Sequence, residues 1–501
     1  MMNRIARVAF CTLPLSLCDT QLVFAQSASS VEATPIVRFQ SAISGASPRS
    51  YQDKLSDIVN IKEFGARCDG AADDAAAIQR ASDSGASTIE APENATCLIH
   101  STINLRTSNQ IFDLKGSTLL LDDSTGHANA IMLGTGIIQT NNVTIRNGVV
   151  KRVQHATAGY AIDSNYTAGI VINNMTLYGG EGAATLYNGI RIRSGINWNV
   201  YHNHIHNVAN DGFYIDGTNS TTHASIDINL KNNRLEKFHN GIVTWNYTEG
   251  LFLQGNIVYN GSGTGVSISA SSPKQALSSF LILDNDVDTL TERGWYIQYA
   301  RNVQFNNNWV SNTGSDAITI GHGAQSIVVS GCQIYPKSDG IHVGGSYVSV
   351  TGNYISGGTK QIVVDAKANA VSIKSNMLNF GQIGIDASAN PSNLSVTNND
   401  IYNVAHTPLS TGTGKANVVA ANKGDTTVGK TAYVTVGPSP FTYTSGSRPE
   451  FINLFSGSVT RVTIGANEAG NQTNTSYMLA PNTSMTITYS SAPRMLKTYP
   501  Y

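Results

Sequence analysis

From Ser338 to Gly357 the chain reads SDGIHVGGSYVSVTGNYISG, three short apolar–polar alternations punctuated by Gly and Asn. Period-2 patterning predicts strands with one buried face, but strands this short cannot enclose a core alone. The flanking segments share the grammar: SDAITIGHGAQSIVVSGCQIYP from Ser315 and KQIVVDAKANAVSIKSNMLNFG from Lys360. In each, a turn leads to I-x-[IV], a gap, V-x-[VI], a turn at Asn or Cys, and x-[IL]. The residue opening the third strand recurs at Asn147, Asn174, Asn203, Asn233, Asn256, Asn285, Asn308, Cys332, Asn353, Asn376 and Asn399, with spacings of 21 to 30 residues. A repeat of that length with period-2 patterning inside it predicts a parallel β-solenoid, one coil per repeat and about 4.8 Å between coils. The Asn series predicts a ladder of stacked side-chain amides at a left-handed turn.

The strand after the Gly-rich turn alternates strictly. Ile190, Phe213, Ile242, Val266, Trp295, Ile318, Ile341 and Ile362 are expected to point inward. The residues between apolar positions then stack into outward columns. One is expected to run Arg191, Tyr214, Val243, Ser267, Tyr296, Thr319, His342, and the next Asp163, Arg193, Asp216, Trp245, Ser269, Gln298, Gly321. Such columns form a long shallow surface that matches a polysaccharide in shape.

The remaining chain divides by composition. Arg4 and Arg7 precede the apolar run VAFCTLPLSLC, and small Ala25 ends VFA, which predicts an export signal over 1–25 and a secreted or periplasmic location. No other segment is long and apolar enough to span a bilayer. Residues 26–58 are Ser- and Ala-rich and read as a linker or neck, 59–424 as the solenoid, and 425–501 as a small antiparallel β domain built from strands such as TAYVTV, FINLF and SMTITY. That last domain suits capping, trimerisation or sugar binding. Asp73 and Asp74 are expected to cap a helix over Ala75 to Ser84 that covers the open apolar end of the solenoid. In an exported chain Cys68 and Cys97 can form a disulfide, while Cys332, standing in the Asn ladder, reads as a buried thiol. A net charge of −1 excludes a nucleic-acid partner held by charge.

The segment FGARCDGAADDAAAIQRA, Phe64 to Ala81, resembles the N-terminal segment of the pectate-lyase-like β-helix superfamily, and RSYQDKLSDIVNIKEFGA resembles the neck of phage tailspikes and related depolymerases. The resemblance implies a right-handed parallel β-helix, an all-β fold, and leaves the reaction open, since that superfamily holds hydrolases, lyases and epimerases. A homotrimer is implied by the same resemblance alone.

Two constellations carry candidate chemistry. In the first, Asp163, Arg191, Arg193, Tyr214, Asp216 and Trp245 crowd one end of the columns. Two carboxylates two coils apart, about 9.6 Å between backbones, approach the separation of about 6.5–9.5 Å at which inverting glycosidases place acid and base. Asp216 beside Trp245 is the expected acid and Asp163 beside Arg193 the expected base, with Trp245 and Tyr296 as flat faces for sugar rings. The structural alternative is a ladder in which Arg193 bridges both carboxylates. The second constellation is Asp316 and Asp339 with His322 and His342, which loosely resembles the Asp cluster and Gly-His-Gly of polygalacturonase-type hydrolases. It lacks their paired Asp-Asp and Arg-x-Lys, and Asp before Gly also serves as a turn residue, as do Asn188, Asp211 and Asn240 in the same column. His202, His204 and His206 alternate and are weighed as a metal site, but Asn203 should bend the strand between them, and no metal is assigned. No Ca²⁺ loop motif occurs, so Ca²⁺ enters only with a lyase.

The leading reading is a secreted, endo-acting glycoside hydrolase. One alternative is a polysaccharide lyase with Tyr214, Arg191 or His342 as base and Arg193 neutralising a uronate. The other is an adhesin or tailspike-like body that only grips glycan.

Overall fold

The computed structural model of the chain describes residues 38–180, 186–219, 222–275, 277–412, 414 and 416–500. The export signal expected over 1–25 lies outside the described residues. Residues up to Asp57 form a unit of their own. There the strands Arg38–Phe39 and Arg49–Ser50 pair antiparallel and lead into a short helix, Tyr51–Leu55. Arg49 ties that helix by ion pairs to Asp53 and Asp57, so this part of the expected linker carries local structure.

From Ile58 onward, parallel strands pair coil upon coil in one continuous ladder. Three sheets run the length of the solenoid. The front sheet passes through Ile103–Leu105, Ile131–Leu133, Tyr160–Ala168, Asn188–Tyr201, Asp211–Asp216, Asn240–Trp245, Val266–Ser269, Trp295–Ile297, Ile318–Ile320, Ile341–Val343, Lys360–Val364, Ile383–Ala387 and Thr407–Thr411. Its inward column is the expected one, Ile190 through Ile362, and every member is essentially inaccessible to solvent. Each such aliphatic side chain contributes about 1.5–3 kcal/mol relative to exposure.

The buried amide ladder runs from Asn203 through Asn233, Asn256, Asn285 and Asn308, and again from Asn353 through Asn376, Asn399 and Asn422. In each step one Oδ1 accepts both the backbone N–H and the side-chain N–H of the preceding coil's Asn, as Asn285 Oδ1 does for Asn256. Cys332 interrupts the series as a buried free thiol whose burial pushes its pKa up to about 12. Two details differ from expectation. The left-handed turn falls on the residue before the ladder position, such as His202, Asn232 and Asn307. Asn147 and Asn174 occupy that turn position and pair with each other at the surface, so the ladder proper begins at Asn203.

The predicted helix is present as Ala75–Asp83 and buries Ala75, Ala77, Ile78 and Ala81 over the first coils. Of the two acids, only Asp73 caps the helix with its side chain. Asp73 Oδ1 accepts the Ala75 N–H, while the Asp74 carboxylate turns back to the Arg67 and Cys68 N–H groups. Cys68 and Cys97 form a disulfide beside it. After the strand Val418–Ala420, two four-stranded antiparallel sheets share a core of Ile452, Leu454, Val462, Leu479, Met485, Ile487 and Met495. No described helix is long and apolar enough to cross a membrane.

Candidate active site

Strand register fixes which outward side chains meet. The column Arg191, Tyr214, Val243, Ser267, Tyr296, Thr319, His342 is as expected. The neighbouring column is corrected at its start. Ile162 aligns with Ile190 and Asn165 with Arg193, so Asp163 stacks under Arg191, and Asn165 precedes Arg193, Asp216 and Trp245. The buried Ile162, not Tyr160, pairs with Ile190, which shifts the register by two residues from the sequence alignment. Asp163 and Asp216 are therefore two coils and one pleat apart, about 12 Å between Cα atoms, wider than the sequence reading supposed.

Both carboxylates are also committed to arginines. Asp163 accepts Arg191 Nε at 2.6 Å and Nη2 at 2.7 Å, and Asn129 Nδ2 at 2.9 Å. The Arg191 guanidinium lies 4.8 Å over the Tyr160 ring. Asp216 pairs with Arg193 at 2.9 Å. Two separate pairs thus replace the single ladder through Arg193. Burial raises the Asp216 pKa against the opposing pull of Arg193, and its Oδ1 is buried without a hydrogen-bond partner. Burial likewise raises Tyr214. Arg191 and Arg193 are each ion-paired with a carboxylate of the protein itself.

The second constellation is denser than its sequence suggested. His342 Nδ1 lies 3.4 Å from Asp316 Oδ2, and His342 Nε2 lies 2.8 Å from Asp365 Oδ1. The other oxygen of Asp365 lies 3.5 Å from His322 Nε2, and His322 Nδ1 is 3.1 Å from the Gly344 carbonyl. The result is an alternating chain of carboxylate and imidazole across three coils. Asp365 was missed in the sequence because it stands one column over from His342, where the preceding coils have Gly321 and Gly344. Those glycines open the notch: a Cβ on Gly344 would sit 2.8 Å from His322 Nδ1 and 3.1 Å from Asp365 Oδ2.

Asp339 stands in register with Asp316 on the adjacent coil, about 4.8 Å along the axis. Their environments drive them apart. Burial and the charge of Asp316 raise the Asp339 pKa, against the Lys360 N–H that its Oδ1 accepts. Burial also raises Asp316, but the hydrogen bonds from His342 and Thr319 outweigh it and leave Asp316 low. His342, held chiefly by Asp316 and then by Asp365 against its own burial, is pushed up to about 9 and is an imidazolium at neutral pH. Asp316 makes a local bond, accepting the Thr319 hydroxyl, whereas the Asp339 carboxylate reaches to the next coil, at Lys360 N–H, instead of closing its own turn. Beyond the cluster, Lys360 pairs with Asp386 at 2.7 Å. On the other side, Tyr296 lies half-exposed with the Arg293 guanidinium 5.3 Å over its ring.

The histidines around the strand His204–His206 do not gather three ligands. His202 sits at the left-handed turn, and His204 and His206 stack on each other with centroids 4.4 Å apart. Among the described residues one group of three potential metal ligands comes together, Cys68, Cys97 and Asp74. Its sulfurs are in the disulfide, and its carboxylate is bonded to backbone N–H groups.

Solved structures resemble this architecture at low identity. Tailspike protein 3 of bacteriophage CBA120 is 17% identical with a TM-score of 0.60, over 81% of this chain and 69% of that one. The A-module of the mannuronan C-5 epimerase AlgE6 of Azotobacter vinelandii is 16% identical with a TM-score of 0.53, over 70% of this chain and 99% of that one. A mutant tailspike protein of E. coli bacteriophage HK620, in complex with pentasaccharide, is 14% identical with a TM-score of 0.52, over 92% and 97%. At these identities the likeness is one of fold. No curated protein sequence matches the chain. The family profile for the right-handed beta helix region matches residues 188–335 and 322–439, which together span about half of the sequence and coincide with the coils that carry the site. With its parallel strands in register coil after coil through that span, the chain belongs to the right-handed β-helix family.

Proposed function

We propose that this protein is a glycoside hydrolase that cleaves a polysaccharide laid along the front sheet, with Asp339 as the acid and Asp316 as its ionised partner. The observation that carries the reading is the pair itself: two carboxyls on adjacent coils of an open face, one pushed up and the other down in pKa. Carboxyls separated in this way take the acid and base roles of glycoside cleavage. Adjacent-coil spacing is close to the separation of about 5–5.5 Å at which the second carboxylate attacks the sugar directly. His342 keeps Asp316 ionised and adds a positive charge, and Tyr296 offers a ring face for a sugar. A tailspike solved with a pentasaccharide and an epimerase named for mannuronan, both of this fold, support a glycan as the ligand. The Cys68–Cys97 disulfide supports action in an oxidising, exported compartment.

The test incubates the protein with neutral and acidic polysaccharides and follows reducing ends together with the ultraviolet absorbance of unsaturated uronates. Reducing ends without absorbance support the hydrolase. Both signals together make it a lyase. Retention on a glycan column with neither signal makes the face a binding surface.

A further inference from the structure

The front sheet does not end in solvent. The outward column of His342 continues through Val363 and Asp386 to Ser410, three coils and about 14 Å further along the axis. Ser410 lies on the strand Thr407–Thr411, whose described strand partner is Ile383–Ala387 alone. Where a further coil would stack, there is a cavity of about 700 Å³, walled by this strand on one side and the C-terminal β domain on the other. That volume lies within the range of about 300–1,000 Å³ usual for ligand sites.

Its walls are fixed and internally neutral. Asn482 Nδ2 bonds the Asn417 carbonyl at 2.8 Å, and the Val419 N–H bonds the Ser447 carbonyl at 2.6 Å, pinning the domain to the last coil. Arg448 is paired with Asp425. Glu450, 1% exposed, accepts the Tyr443 hydroxyl at 2.6 Å and faces Lys497 at 3.4 Å. Each buried charge has its counter-charge, so the cavity has no net charge to offer an ionic ligand. It presents instead the hydroxyls of Ser410, Thr411, Ser447 and Tyr499 and an open strand edge. Gly446 leaves space: a Cβ there would find only Glu450 Oε1, at 3.9 Å.

We propose that this cavity is a saccharide-binding site that takes one or two neutral sugar residues at the end of a glycan. Paired charges, many hydroxyls and exposed backbone groups suit a ligand rich in hydroxyls and lacking charge. Continuity with the His342 column makes it the terminus of the surface that carries the cleaving pair, and that link rests on the hydrolase reading. The binding itself does not.

The experiment is isothermal titration of the full chain carrying Asp339→Asn, so that no ligand is consumed, with maltotriose, cellotriose, triacetylchitotriose and trigalacturonate. At least one neutral trisaccharide is expected to bind, and to bind at least about tenfold more weakly, a loss of about 1.4 kcal/mol, when Gly446→Phe is added. Ser447→Phe is the second obstruction should the first variant fail to fold, as judged by thermal unfolding. Absence of binding by all three neutral trisaccharides at millimolar concentration overturns the proposal. So does a preference for trigalacturonate, or undiminished binding when folded obstructed variants are used. Polysaccharide cleavage by the unsubstituted protein is scored separately. Its absence beside intact trisaccharide binding sinks the hydrolase and leaves the cavity site standing.

Discussion

His342 bridges Asp316 and Asp365, with Nε2 at 2.8 Å from Asp365 and Nδ1 at 3.4 Å from Asp316. An imidazole between two carboxylates gains a proton on folding, and its pKa rises from 6.5 to about 9. Its contribution to stability is therefore complete below about pH 6.5 and is lost as pH rises to about 9. Denaturation midpoints should fall across that window by the equivalent of about 1–3 kcal/mol. His342→Gln should flatten the dependence. A slope unchanged by that substitution removes His342 as its source.

Asp339→Asn should reduce kcat on a cleaved polysaccharide by about 10²–10⁴ with little change in KM. Asp316→Asn should do the same. Asp216→Asn, at the far end of the columns, should cost less than about tenfold, because Asp216 is tied to Arg193. Steady-state kinetics of the three variants decide the location. A dead Asp216→Asn beside an active Asp339→Asn moves the site to the Arg193 end.

Gly344→Ala places a methyl 2.8 Å from His322 Nδ1 and 3.1 Å from Asp365 Oδ2. Both are side-chain ends that can shift, so the coil should fold, while the carboxylate–imidazole chain should break. The expected outcome is a folded protein with a lowered His342 pKa, read by NMR titration, and a shallower loss of stability between pH 6.5 and about 9 than in the unsubstituted chain.

Asn285→Leu removes the acceptor for both the backbone N–H and the side-chain N–H of Asn256, at a buried site. Two orphaned donors should cost about 2–4 kcal/mol, measured by chemical denaturation. The equivalent change at Asn174, in the surface pair with Asn147, should cost well under half of that.

Reduction of Cys68–Cys97 should destabilise the N-terminal coils. Closing a loop with a sequence separation of 29 residues is worth about 3–4 kcal/mol in chain entropy. Earlier hydrogen exchange around Ala75–Asp83, with the front sheet unaffected, is the expected signature.

Local alternation and repeat spacing determined the solenoid, because period 2 dictates which side chains face the core, and repetition dictates that each coil lies on the last. The inward column, the Asn ladder from Asn203, the helix over the first coils and the change of grammar after the coils all follow from those rules. Register between coils of unequal length does not. The pairing of Ile162 with Ile190 puts Asp163 in the Arg191 column, not the Arg193 column, and that shift of one pleat turns an expected acid–base pair into two separate ion pairs. The partnership of Asp316, His342, Asp365 and His322 was equally out of reach. It depends on side chains reaching across neighbouring columns through the gap above Gly321 and Gly344, and on burial and charge that exist only once the coils stack.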